Sequence, residues 1–501
     1  MKKTTLFVAL VAMLTACTSG IPENYRDSDT LPNIYPDYIG VTVPVNIAPL
    51  TFEAEGASQE MVARFTAGTL EVICQGEKIQ PDADDWRELV SAAAGKAIKV
   101  EVFTQHNDDW TRHKPFNIQV SKDSIDPYIS YRLISPSYVA YEELTINQRC
   151  LENYEESIIY DNMLCSKETE GQCINCHNYQ QYNPERMQFH ARENLGGTVI
   201  AYDGKIKKLD MRNDSILSAG VYPTWHPTLK LIVYSTNRTS QAFHSMHSNK
   251  IEVFDAESDL IAYNLETNEV WNIENAPDEM EVFPFWAPDG KTLYYCSAHF
   301  EYNDSIEDKG ADVLSRTTEV KYNIYKKSFD PKTMTFGARE LVFDATEIGK
   351  SATFPRISPD GRYLMFTMAE FGVFHIWHHD ADLWMVDLQT GKARAMEELN
   401  SPDTESYHSW SSNGKWVIFS SRRYDSQYTR PFIAHIDKNG HATKPFELPC
   451  ADPDFHRQFV KCYNIPEFMR GPVTISPQAF ADVLKGEGEP VKYRSEKQTG
   501  T

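Results

Sequence analysis

The 501-residue chain lacks the sequence marks of several common catalytic machineries. No phosphate-cradling Gly loop or hydride-cofactor fingerprint is visible, and neither Gly-x-Ser-x-Gly nor His-Glu-x-x-His occurs. Nucleotide-driven chemistry, the α/β-hydrolase elbow and the zinc-protease helix are therefore not expected. Beyond the first 17 residues no segment approaches the roughly 18 consecutive apolar residues of a membrane helix. Basic side chains are also scarce, 49 Lys and Arg against 71 Asp and Glu for a net charge of −22. That balance argues against nucleic acid or anionic lipid surfaces as partners and suits contacts with basic or neutral surfaces. Disorder throughout is excluded as well, because 41% hydrophobic and 12% aromatic residues supply a large core for two or three domains.

What is present begins with Cys173-Ile174-Asn175-Cys176-His177. Two thiols three residues apart with a His directly after them can hold a haem at three points, by two thioethers to the porphyrin vinyls and by His177 as proximal iron ligand. The plainer alternative is a Cys-x-x-Cys pair acting as a disulfide or as half of a zinc site, shared with Cys165 and His177. The N-terminus favours haem c, which is attached outside the cytoplasm. Lys2 and Lys3, an apolar stretch from Leu6 to Leu14 and Leu14-Thr15-Ala16-Cys17 read as a signal peptide. The last four resemble a bacterial lipobox, which implies acylation of Cys17 and a lipid anchor rather than a span. Thr18 in place of Asp implies, by resemblance to Gram-negative lipoproteins, an outer-membrane location facing the periplasm. Six Cys remain, and in an oxidising compartment Cys450 with Cys462 closes the shortest late loop, although buried free thiols serve equally well.

Internal repetition predicts the architecture. Tyr222-Pro223-Thr224-Trp225-His226-Pro227, Phe283-Pro284-Phe285-Trp286-Ala287-Pro288-Asp289-Gly290, Phe354-Pro355-Arg356-Ile357-Ser358-Pro359-Asp360-Gly361 and Tyr407-His408-Ser409-Trp410-Ser411-Ser412-Asn413-Gly414 each lead into a second apolar strand, and a further hairpin follows each. Four strands per repeat make propeller blades. The pattern resembles the TolB-like propeller family, which usually has six blades. Two shortened copies, Asn183 to Phe189 and Ser135 to Tyr141, complete that number. With its lipobox and haem motif the chain also resembles bacterial TolB-like lipoproteins described as cytochrome c related. The expected fold is mainly β: a signal peptide at 1–17, a small β-rich accessory domain at 18–126 with one helix after Asp82 or Asp84, a six-bladed TolB-like propeller at 127–449 with its haem-attachment segment at 162–195, and a C-terminal extension at 450–501 ending in a disordered tail.

In such a blade the loops joining second to third strands lie on the same face as the connections between blades. The haem motif is expected in one of those connections. His244, His247, His299, His375, His378, His379, Asp380, Asp382, Arg422 and Arg423 gather on the same face as candidates for a second metal site or for haem-edge contacts, or simply as solvated loop residues. The sixth iron ligand is sought in Met187 and His190, ten and thirteen residues after His177. If Arg186 to Arg192 is a strand, Met187 packs with Phe189 while His190 faces the other way and is preferred. These residues point to an electron-transfer or redox-sensing lipoprotein binding one haem c and meeting a redox partner or envelope protein at the propeller face; a peroxidase requires an open iron position. The contrasting expectation is a non-catalytic scaffold for envelope proteins.

Overall fold

Short apolar segments separated by Asp-Gly or Asn-Gly turns have one low-energy outlet, the antiparallel hairpin. The computed structural model describes residues 20–56, 60–136, 143–166, 171–244 and 248–494, and the chain is mainly β. Cys17, His247 and most of the Ser135 to Tyr141 segment lie outside the described residues. Asp289 shows why the turn recurs: its carboxylate accepts from the amides of Lys291 and Thr292 at 2.7 and 3.1 Å, while Gly290 takes φ +62°. A Cβ at Gly290 would stand 2.8 Å from the His226 ring, so the turn also needs glycine to seat against the neighbouring sheet.

Six antiparallel meanders follow one another. Their edge strands β1 (Gln172–Tyr179), β2 (Gly220–Trp225), β3 (Glu279–Trp286), β4 (Ser351–Ile357), β5 (Glu405–Trp410) and β6 (Cys462–Met469) pack side by side in a closed cycle, β6 returning to β1. Behind β2 to β5 lie the second strands Leu231–Phe243, Thr292–His299, Tyr363–Ala369 and Trp416–Ser421, where the four repeats predict them. Met187–Glu193, Gly197–Tyr202 and Lys205–Asp210 complete the sheet of β1.

Two expectations are corrected here. The sheet built on β6 continues outward through Tyr128–Ile134, Thr145–Cys150 and Glu156–Asp161, so the edge facing β1 comes from beyond residue 450 rather than from within 127–449. Long-range pairing overrides the local turn signal. The described part of the tail is likewise structured, because Glu489–Pro490 and Lys492–Tyr493 add parallel edge strands to the sheets of β1 and β2.

The accessory domain holds α1 (Ala83–Ala92), capped by the Asp82 carboxylate, with Trp86, Leu89 and Val90 turned inward. It has no separate core. Trp86, Phe65 and Val100 share one apolar cluster with Trp416, Ile418, Ile433 and Phe446 of the sheet built on β5. The Trp416 indole also donates to the Ser124 carbonyl at 3.1 Å. We therefore expect Trp416→Ala to cost about 3–5 kcal/mol and to shift one common unfolding transition. Urea titration followed by both far-ultraviolet dichroism and fluorescence checks this; two separated transitions would show independent cores.

Candidate functional site

Each strand of the closed cycle carries the same defect. Opposite a single residue of the second strand stand two residues, and the first of each pair has positive φ: Cys176 at 60°, Tyr222 at 47°, Phe283 at 53°, Phe354 at 54°, Tyr407 at 49° and Ile465 at 51°. The second is Pro223, Pro284, Pro355 or Pro466 in four strands, and His177 or His408 in the other two. A bulge leaves one residue outside the ladder, and proline, which lacks an amide hydrogen, fits there without losing a bond.

The haem-type motif is thus not in a connection between sheets. It lies within β1, its Cys176-His177 step occupying the bulge that aromatic-Pro pairs fill elsewhere. The Gln188 side-chain amide holds the bulge by donating to the Cys176 carbonyl at 2.6 Å. Cys173 and Cys176 are both free thiols with 3% exposure. Arg192 donates to Cys173 Sγ at 3.5 Å, and burial raises the Cys176 thiol. His177 is 1% exposed with neither ring nitrogen hydrogen-bonded by a side chain; backbone at Ile465 and Ser130 lies near. Burial first, and the Arg132 charge second, lower it to about 3, so the imidazole is neutral. Arg132 reaches across from the adjoining sheet to the Ile174 carbonyl at 3.1 Å.

Two spaces meet at Cys176. One is an axial pocket of about 400 Å³, part of it open to solvent, lined by Cys176, His177, Tyr222, Phe283, Phe354 and Ile465. Its floor carries Glu467, which accepts from Arg356 at 3.2 Å and from Asn178 at 3.4 Å. The other is an open cleft of about 1540 Å³ bordered by Cys176, His190, Arg192, Met211 and Tyr222. His190 pairs with Thr198 Oγ1 at 3.0 Å and is lowered to about 3 by burial and then by Arg192. Met187 is fully buried in an apolar cluster with Cys173 and Phe189, and it does not border the cleft. Met211, 3.7 Å from Thr198 Oγ1, and Arg192 are cleft residues that sequence reasoning missed. The strand pairing of Cys173 with Arg192 was the available signal for the latter.

The loop histidines serve other ends. Segment 371–379 folds over the axis, with Phe374 against Tyr222 and Phe283. His375 bonds Thr353 and the Gly372 carbonyl, His378 meets both Glu252 oxygens at 3.1 and 3.2 Å, and His379 pairs with Asp403 at 2.9 Å. His244 approaches Glu252 at 3.9 Å and His299 approaches Glu279 at 3.3 Å. Asp380 accepts from the Glu370 amide, and burial followed by the charge of Glu405 raises Asp382 to about 6. Arg422 stacks on Trp377 at 4.3 Å while Arg423 pairs with Glu405 at 3.2 Å, so neither borders the cleft as a haem-edge contact would require. Among the described residues no three His, Cys, Asp or Glu side chains converge as a metal ligand set. Cys165 turns to the Ala481 carbonyl, away from a zinc site with Cys173 and Cys176. Cys450 and Cys462 are free, the former beside His456 and the latter beside the Gln427 carbonyl.

No family model and no curated protein matches the chain. Solved structures with related outlines include a puromycin hydrolase S511A mutant complexed with PGG, at 10% identity and TM-score 0.36, covering 65% of this chain and 45% of that one. The Kuenenia stuttgartiensis hydrazine synthase gives 13% identity and TM-score 0.30 over 53% and 64% of the two chains. A luciferin-regenerating enzyme gives 11% and 0.34 over 61% and 87%. The chain spans under half the length of the puromycin hydrolase. Similarity this remote assigns no activity.

Four enclosed histidines, His177, His190, His375 and His408, all sit at about 3, each lowered first by burial. Each is neutral in the fold but gains a proton near 6.5 when the chain unfolds, so stability is lost as the pH falls from about 6.5 toward 3. Acidification from pH 7 to pH 5 should cost about 2 kcal/mol for each buried histidine. Urea midpoints at the two pH values measure the loss, and His408→Gln should reduce it by one histidine's share.

Proposed function

We propose that the chain is a cell-envelope lipoprotein, anchored by acylated Cys17 and facing the periplasm from the outer membrane, in which a six-bladed TolB-like propeller carries one covalent haem c and serves electron transfer or redox sensing. One observation carries the reading. In β1 two free thiols precede an imidazole that is buried, neutral and without a side-chain partner at either ring nitrogen. The ring meets backbone at Ile465 and Ser130 rather than a side chain, a setting from which it can serve as an iron ligand.

The donors suit the group. Cys173 and Cys176 would provide the thiols for thioether attachment and His177 an imidazole for the iron; Cys176 borders both spaces, whereas His177 lines the axial pocket and not the cleft. The open cleft beside Cys176 offers space on the scale of a porphyrin, with Arg192 as a cation for its carboxylates. The position of His190 on that cleft, against the core packing of Met187, supports His190 as the sixth ligand. A bound haem supplies a one-electron ferric–ferrous couple. The chain's own part is to fix the thiols on a rigid strand, keep His177 unprotonated and keep water away with Tyr222, Phe283 and Phe354. A redox partner or envelope protein then docks on the propeller face, and the acidic surface disfavours nucleic acid.

The burial of both thiols at 3% exposure favours a second reading, a non-catalytic envelope scaffold in which they are structural. Expression with a cytochrome c assembly system separates the two. We expect a haem that stays attached through denaturing electrophoresis and is lost from Cys173→Ala or Cys176→Ala protein that retains the parent dichroism. A haem-free product under conditions that mature a control cytochrome c would leave the scaffold. In the loaded protein, His190→Ala should change the ferric spectrum and the reduction potential while Met187→Ala leaves both in place. A spectrum altered by Met187→Ala alone would reverse that assignment.

A further inference from the structure

Where segment 449–457 joins the accessory domain to the propeller, four ionisable side chains form an enclosed chain. Cys450 Sγ lies 3.6 Å from His456 Nε2 and 3.5 Å from Arg149 Nη1. His456 Nδ1 meets a Glu447 oxygen at 2.5 Å, and Glu447 also accepts from the hydroxyls of Tyr424 at 2.8 Å and Tyr35 at 3.3 Å. Tyr463 OH stands 3.2 Å from His456 Nε2. Exposure is 7% for Cys450, 4% for Arg149 and 2% for His456 and Glu447.

The order of the charges gives the chain its chemistry. Moving the Cys450 proton to His456 creates a thiolate beside the Arg149 cation and an imidazolium against the Glu447 carboxylate. Each new charge thus appears next to its opposite, in surroundings where Coulomb attraction is little screened. The shifts agree in direction. Burial alone would lower His456, but Cys450 and Glu447 raise it to about 9. Burial alone would raise Cys450, but His456 and Arg149 bring it below the ordinary thiol value. Burial instead raises Cys74, to about 11, and also Cys176 and Cys296.

We propose that Cys450 is a redox-modification site that small hydroperoxides oxidise to a sulfenic acid. The thiolate attacks the terminal peroxide oxygen, the S–O bond forms as the O–O bond breaks, and the departing hydroxide or alkoxide takes the His456 Nε2 proton to leave as water or alcohol. Sulfur is oxidised by two electrons and the peroxide is reduced by the same two. The enclosed sulfur selects a reagent of few atoms, and the exposed Phe455 and Val460, at 37% and 65%, show that the segment lies at the surface. Oxidation there bears on the domain junction, because Thr51 Oγ1 donates to the Cys450 carbonyl at 2.5 Å and Gln80 to that of Ala451 at 2.9 Å.

The experiment treats the full chain at pH 7 with equimolar hydrogen peroxide, traps sulfenic acid with dimedone and maps adducts by peptide mass spectrometry. Cys450 should carry at least about tenfold more adduct than Cys296 or Cys462, and His456→Gln should lower its yield by about tenfold while melting as a folded protein. The same ranking in the Cys173→Ala, Cys176→Ala double variant keeps the result independent of haem. Equal labelling of Cys450 and Cys296 overturns the proposal, as does an unchanged yield in His456→Gln or loss of the ranking in the double variant. If His456→Gln does not fold, the ranking among the native thiols decides alone.

Discussion

Six strands can converge on one axis only if the side chains that would meet there turn aside, and the repeated bulge is how this chain satisfies that constraint. A positive φ at the first bulge residue and a proline or histidine at the second divert each strand at the same depth. Tyr222, Phe283, Phe354 and Tyr407 then touch in succession around the axis, with ring centroids 4.7, 3.8 and 4.6 Å apart. The contact chain stops where the bulge residues become small. Ile465 and Cys176 fill the two remaining places, and the axial cavity opens beside them. The strain of positive φ at non-glycine residues is held in place by the ring contacts that it creates.

Much of this was legible locally. Asp-Gly and Asn-Gly turns, apolar second strands and an Asp-capped helix depend on neighbours a few residues apart, and they stand where Asp289-Gly290, Asn413-Gly414 and Asp82 predict them. The errors share a cause. Assigning Gln172–Tyr179 to a connection and residues beyond 450 to an extension treated these segments alone, whereas the first is a strand through its hairpin with Met187–Glu193 and Cys462–Met469 is one through pairing with the distant Tyr128–Ile134. A signal for both was nevertheless present. Aligning Cys176-His177 and Ile465-Pro466 with Tyr222-Pro223 and Phe283-Pro284 would have placed all of them on equivalent bulges. Arg132, Met211 and Arg149 carry no such mark, since what they touch is set by packing between sheets.

Charge is managed case by case inside the fold. Several inner carboxylates are tied individually, Glu467 to Arg356 and Asn178, Glu252 to His378, Glu405 to Arg423 and Ser421, whereas Glu281, at 1% exposure, is raised to about 9 by burial and stays neutral. A buried charge survives only with a partner near it. Those ties hold the axial floor and the loop above it, so the cavity at Cys176 has a polar bolt below and an aromatic cover above.

The closing of the ring by Cys462–Met469 fixes an order of events in the life of the molecule. Tyr128–Ile134 is made early, yet its inner neighbour is made more than three hundred residues later, so one sheet holds an open edge through most of synthesis. An unpaired edge is a template for strands of other chains. A polypeptide built this way gains from folding only once its far end has been made, because the pairing that removes the edge also fastens the circle.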